Sequence, residues 1–193
     1  MPGRSITDNV LVAYETMHCI DQRKKGKEAL MAVKLDMSKA YYRVEWSYLE
    51  AIIRRMGFHE KLIALMMMCV SSVSYSVLIN GEPKGNIFPS RGLRQGDPIS
   101  LYLFLLCAKG LSTMLKKKKN ESKGNLKGVA VSRGALRVSH LLFANDSIIF
   151  YRAFVEDCDR VIKVLKDYEN DLGQKLNKEK TSLFFSKNTK DGV

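Results

Sequence analysis

Two carboxylates stand where a folded chain has no ordinary use for them. Asp36 ends the largely apolar run Leu30-Met31-Ala32-Val33-Lys34-Leu35, and Asp146 lies between His140-Leu141-Leu142-Phe143 and Ser147-Ile148-Ile149-Phe150. An acid at the end of a buried strand costs free energy unless it is paired, solvated or bound to a cation. If the two strands are sheet neighbours, the carboxylates meet. Acids converging at one sheet edge fit a site where Mg²⁺ ions about 3.5 to 4 Å apart clamp the attacking and leaving oxygens of phosphoryl transfer. The plainer reading of Asn145-Asp146 is the tip of a tight hairpin, since both residue types tolerate left-handed backbone.

The elements that must position these acids are legible in the spacing. Met31, Val33 and Leu35 alternate as on a strand. Thr7 and Asp8, followed by Val10, Leu11, Tyr14, Met17 and Cys19, predict a capped amphipathic helix that dissolves into the basic loop Arg23–Lys27. "SYLEAIIRRMG" predicts a helix stopped at Gly57, and a second helix is expected over Lys61–Val70. "SVSYSVLING" has the period of a half-buried strand, with Val73, Tyr75, Val77 and Ile79 inward and a turn at Asn80-Gly81. In "SRGLRQGDPIS", Asp97 is an N-cap and Pro98 the first residue of an apolar helix, which runs out into a solvated connector over Lys116–Asn125. Val155–Leu172 is predicted as an amphipathic helix with Val161, Val164, Leu165 and Tyr168 inward, and "TSLFFS" as a short strand. Strands interleaved with helices and one clear hairpin imply an α+β layer with a mixed or antiparallel sheet.

With 46% hydrophobic residues in 193 and little Pro, one domain with a proper core is expected, and the composition argues against disorder. Thirty-two Lys and Arg against 20 Asp and Glu leave a formal charge of +12, which attracts polyanions, nucleic acid first and acidic membrane surfaces second. Cys19, Cys69, Cys107 and Cys158 are scattered with no paired spacing, which argues against a zinc site or a disulfide framework and for a reduced, intracellular setting. The apolar runs "LIALMMMCV" and "ISLYLFLLCA" are about half the length that spans a bilayer and are predicted as core helices; no secretory signal opens the chain.

Five segments, "PGRSITDNVLVAYE", "VKLDMSKAYYRVEW", "RGLRQGDPISLYLFLLCAKGLS", "HLLFANDSIIF" and "GQKLNKEKTSLFFS", fall in the order of the sequence blocks of reverse transcriptases. They resemble most the LINE-type, non-LTR retroelement branch abundant in plants. The resemblance implies a polymerase palm with part of the fingers, its antiparallel sheet carrying the catalytic acids and packed on helices, as one domain over residues 1–193. The thumb, endonuclease and ribonuclease H modules are expected outside it. The implied activity is RNA-directed DNA synthesis with two Mg²⁺ or Mn²⁺ ions on Asp36 and Asp146. The implied partners are an RNA template, a DNA primer and deoxynucleotides, with no membrane, in the nucleus or cytoplasm.

By the same resemblance Ala40 and Tyr41 contact the incoming nucleotide, Tyr41 blocking a 2′-hydroxyl; the plain alternative for Tyr41 is a core aromatic. Arg94, Gln95 and Gly96 support the template base and nucleotide, Gly96 by allowing close backbone approach. Lys178 or Lys180 matches the lysine that helps pyrophosphate leave, or is simply solvated. Asn145 occupies the place where the family usually has Asp, so one carboxylate is missing from the expected metal site, and impaired catalysis follows. Tyr42 replaces a usual Asp and Leu101 a usual Pro. The alternative function is a basic nucleic-acid-binding remnant without turnover.

Overall fold

A computed structural model describes residues 6–120, 126–132, 134–143 and 146–189. In chain order they form α1 (Ile6–Gln22), β1 (Leu30–Asp36), a 3₁₀ turn (Tyr41–Arg43), α2 (Trp46–Arg55), α3 (Glu60–Ser71), β2 (Tyr75–Ile79) and β3 (Glu82–Ile87). They continue with α4 (Pro98–Asn120), β4 (Val129–Ala130), β5 (Arg137–Val138), β6 (His140–Phe143), β7 (Asp146–Arg152), α5 (Val155–Leu172) and β8 (Ser182–Phe185). The fold is α+β. It divides into two compact units, one of residues 1–38, 111–167 and 176–193 and the other of residues 39–110 and 168–175.

The first unit is built on an antiparallel sheet of order β6-β7-β1-β8. Leu30, Met31, Ala32 and Val33 are buried in succession because both faces of β1 are covered at its start. On one face Leu30 and Ala32 cluster with Phe150, Leu141, Val129 and with Ala13 and Ile20 of α1. That cover ends partway along β1: Lys34 is exposed and Asp36 half-buried. The helix face agrees with the expected one at Met17 and Cys19, which pack against this cluster, and differs from it elsewhere. Ala13, Thr16 and Ile20 are inward, whereas Val10, Leu11 and Tyr14 are exposed. Small residues at 13 and 16 allow α1 to approach the sheet closely, and a bulky stripe would hold it away. Thr7 and Asp8 lie within the first helical turn.

In the second unit α2 packs on α3, with Leu49, Ile53 and Ile63 buried. Arg54 reinforces the exposed side by donating to Glu50 and Glu60 at 2.8 and 2.9 Å. Only part of α3 is core, since Leu62, Leu65 and Met68 are exposed. β2 and β3 form a hairpin whose turn residues Asn80 and Gly81 both have positive φ, the geometry of a tight two-residue turn. Both faces of this hairpin are exposed, so the half-buried strand expected from its alternation is not found. Alternation records which face a strand can bury, and no element covers either face here among the described residues.

α4 runs unbroken through Lys116–Asn120, where a connector was expected, because lysines are good helix formers and no breaker intervenes. Residues 121–125 lie outside the described set. By length and composition Pro98–Lys117 could cross a membrane, which the separate apolar runs did not reveal, but half of that stretch is buried in the fold. Leu103, Phe104, Cys107 and Leu111 supply its core side. α5 buries Val161, Val164, Leu165 and Tyr168 as its periodicity requires.

Burial pushes the Cys107 thiol up to about 12 and, with smaller charge effects from Cys107 and Asp171, the Tyr48 hydroxyl to about 12. These groups fold neutral, so their contribution is complete below their ordinary values and is lost as pH rises towards 12. At pH 8 iodoacetamide is expected to label exposed Cys69 and spare Cys107 until the protein is denatured, read by peptide mass spectrometry. Equal labelling of the native protein would contradict the packing of α4.

Candidate functional site

The register of β1 on β7 runs from Leu30 opposite Arg152 to Asp36 opposite Asp146, so the two acids face each other as the last pair of the ladder. The neighbouring hydrogen bonds fix what kind of pair it is. Ala153 N–H donates to Ala29 C=O across β7 at 2.9 Å, whereas Ser186 N–H donates to Leu30 C=O and Asn177 N–H to Asp36 C=O, each at 2.9 Å. Backbone groups of the even-numbered residues of β1 therefore point away from β7. Asp36 and Asp146 form a non-hydrogen-bonded pair, the kind with its side chains closest, at a Cα separation of about 4.5 Å. Both carboxylates share the face that α1 leaves uncovered at this end.

Like charges directly opposite on a sheet are destabilising. Lys180 offsets this in part, its Nζ lying 4.0 Å from Asp36 Oδ2, with the Asp36 side chain 25% exposed. Lys180 is carried by a tight turn in which Asn177 C=O accepts from the Lys180 and Thr181 N–H groups at 3.2 and 2.9 Å. Lys178 is also exposed, and among the described residues it forms no ion pair with Asp36. Among the described residues no cluster of three His, Cys, Asp or Glu side chains is present. Asn145 lies outside the described residues, while Asp146 is the first residue of β7 and pairs with Phe143, the last of β6, at the end of that hairpin. Two adjacent carboxylates that face solvent suit a hard divalent cation, which typically takes one or two protein carboxylates and fills its remaining positions with water and phosphate.

The remaining predicted residues lie in the second unit, where two segments about fifty positions apart are tied together. Leu93 N–H donates to Tyr41 C=O and Gly92 N–H to Val44 C=O, both at 2.8 Å, and Trp46 Nε1 donates to Gly92 C=O at 2.8 Å. Gly92 has φ +93, and a Cβ there would lie 2.9 Å from Tyr42 O, so only glycine allows this contact. Beyond it Arg94, Gln95 and Gly96 are exposed. Gly96 has φ +89 with open space around it; within the chain the close backbone approach belongs to Gly92. Asp97 caps α4 by accepting from Ile99 N–H at 3.0 Å, as its position before Pro98 requires.

Tyr41 is half-buried and its ring stacks on Phe104 at 4.6 Å and 18°. Burial raises its hydroxyl pKa. Ala40 is buried, and its carbonyl accepts from Gln174 Nε2 at 2.7 Å. Sequence reasoning missed both supports. Phe104 reads as one more apolar residue of a long helix. Gln174 had a visible signal: a polar residue directly after the helix-stopping Gly173 in a chain turn that returns to the core. Gln174 Oε1 and Arg43 Nε are buried with no hydrogen-bond partner among the described residues.

Gly92→Ala is expected to cost about 2–4 kcal/mol, from left-handed backbone plus collision with fixed backbone atoms. Gly96→Ala should cost about 1–2 kcal/mol, from the backbone alone. Thermal melts separate them, with Gly92→Ala falling by roughly twice as many degrees; equal shifts would contradict the contact to Tyr42.

Comparison with known proteins gives the family and the fold. The family described as reverse transcriptase (RNA-dependent DNA polymerase) matches residues 1–191. An uncharacterized mitochondrial protein of Arabidopsis thaliana is 50% identical over 70 residues, covering 36% of this chain and 56% of its own. The transposon TX1 149 kDa protein of Xenopus laevis is 27% identical over 94% of this chain. The Pol polyprotein of the type-1 retrotransposable element R2 from Popillia japonica is 24% identical over 84%. The chain spans 13% and 25% of those two relatives' lengths. Telomerase from Candida tropicalis superposes on 95% of the chain with a TM-score of 0.68 at 15% identity, covering 36% of that protein. Telomerase from Candida albicans, solved with a fragment of telomeric RNA, does so on 97% with a TM-score of 0.66 at 13% identity, covering 31%.

Proposed function

Because this chain belongs to the reverse transcriptase family, with relatives among non-LTR retrotransposon proteins, we propose that Asp36 and Asp146 are the metal-holding acids of an RNA-directed DNA polymerase site. The observation that carries this reading is their direct opposition across β1 and β7 in a non-hydrogen-bonded pair. Two Mg²⁺ or Mn²⁺ ions held there would activate the primer 3′-hydroxyl and neutralise charge on the α-phosphate and leaving pyrophosphate.

The chain's own residues supply the rest of the assignment. Lys180, already beside Asp36, is the better placed of the two lysines to meet the leaving pyrophosphate. Tyr41, held by the Phe104 ring and by the backbone bond from Leu93, presents a fixed wall against a 2′-hydroxyl. Arg94, Gln95 and Gly96 form the exposed donor segment that meets the template base and nucleotide. RNA template, DNA primer and deoxynucleotides are the partners.

Asn145 sets the level of activity. An amide oxygen can touch a cation but brings no charge, and loss of one electrostatic element at such a centre costs on the order of 10²-fold in rate. The chain is therefore a weakened polymerase domain. Mn²⁺ binding followed by electron paramagnetic resonance tests the assignment without requiring turnover. Asp36→Asn is expected to abolish binding and Asn145→Asp to tighten it about tenfold or more. Lys180→Ala should tighten it a few-fold by removing a competing cation. Unchanged binding in Asp36→Asn would remove the site. Primer extension on an RNA template should follow the same order, with Asn145→Asp faster than the unmodified chain.

A further inference from the structure

α1 turns outward the first part of the apolar stripe that its sequence marks for burial. Tyr14 is 72% exposed, Val10 and Leu11 are also exposed, and the Tyr14 and His18 rings stack at 6.4 Å and 8°. This stripe borders two adjoining cavities of about 510 and 490 Å³ that share Cys19, Arg23 and Val131. The first runs along Tyr14, His18 and Gln22, and the second continues to Arg137. They form one groove between the helix and the β4–β5 pair, to which Cys19 Sγ is joined through Ala130 C=O at 3.7 Å.

The charges along the groove select its occupant. Among the described residues Arg23 donates to Glu28 C=O at 2.9 Å and Arg137 to Gly128 C=O at 3.0 Å. A guanidinium has five donors, so each is pre-positioned with donors to spare. Lys24, Lys25 and Lys27 follow Arg23, exposed and with no ion pair among the described residues. Of the nearby acids, Glu15 lines the groove, while Asp21 is engaged by Lys187 at 3.2 Å and Gln22 at 3.0 Å. A stacked aromatic surface flanked by fixed arginines and a lysine run is what single-stranded nucleic acid requires. An apolar protein partner would find these cations costly to bury.

We infer that this groove is a second nucleic-acid site, taking a single strand with its bases on Tyr14 and His18 and its phosphates on Arg23, Arg137 and the following lysines. It goes beyond the polymerase reading and does not depend on the acids. α1 covers the start of β1, and the rise along that strand places Asp36 about 20 Å from Leu30. Such a site would retain a template strand outside the centre where chemistry takes place.

The test uses the 193-residue chain and labelled 20-nucleotide oligouridylate, oligothymidylate and a 20-base-pair duplex, followed by fluorescence anisotropy. Both single strands are expected to bind more tightly than the duplex, because stacking needs open bases. Tyr14→Ala/Lys24→Glu/Lys25→Glu, all at exposed positions, should weaken single-strand binding tenfold or more and flatten its salt dependence. Lys163→Glu/Lys166→Glu on the exposed side of α5 makes a similar charge change and should weaken it less than threefold. Crosslinks from 4-thiouridine RNA should map to α1 or to residues 130–137. Equal losses in the two variants, duplex bound as tightly as single strands, or crosslinks confined elsewhere would overturn the inference.

Discussion

Everything around the acids in the first unit follows from holding two like charges opposite each other at the end of an apolar ladder. Asp36 and Asp146 repel across β1 and β7, and nothing in their own chemistry holds them there. Apolar burial behind them does. Leu30 to Val33 and Ile149 to Tyr151 are covered by helices, and that cover stops short of the acids. The sheet is thus driven together at one end and left with an electrostatic demand at the other. Lys180 meets part of that demand.

The second unit solves a different problem, which is to tie a loop down while leaving the side chains of Arg94 and Gln95 exposed. Its backbone makes the contacts. Leu93 and Gly92 donate to the carbonyls of Tyr41 and Val44, Trp46 donates to Gly92, and Gln174 reaches Ala40. Arg94, Gln95 and Gly96 are then free to face solvent while anchored on one side by Leu93 and on the other by the Asp97 cap. The absence of a side chain at Gly92 is what makes this possible, since its φ and the nearness of Tyr42 O exclude any other residue.

The exposed stripe of α1 and the exposed β2–β3 hairpin share a lesson about amphipathic patterns. In both, apolar spacing correctly identified the element, but its large side chains remain in solvent. Burial depends on which partner the topology supplies. α1 receives the sheet against Ala13, Thr16 and Ile20, because small residues permit the closer approach. On α1 the stripe left outside lies beside fixed arginines, which gives it a chemistry of its own.

From the residues alone came the α+β class, the two acids, the cap at Asp97, the inward face of α5, and the blocks that tie the chain to its family. These are local properties: strand and helix periods, capping chemistry and the cost of an unpaired acid are all set within a few residues. What only the tertiary structure decided is pairing. It put Asp36 opposite Asp146 and not one residue out of register, chose Lys180 over Lys178, brought Gln174 to Ala40, and set Phe104 against Tyr41. It also turned Tyr14 outward. Register and partner choice depend on residues far apart in the chain, and a shift of one position would send every side chain of β1 to the opposite face with its local pattern unchanged.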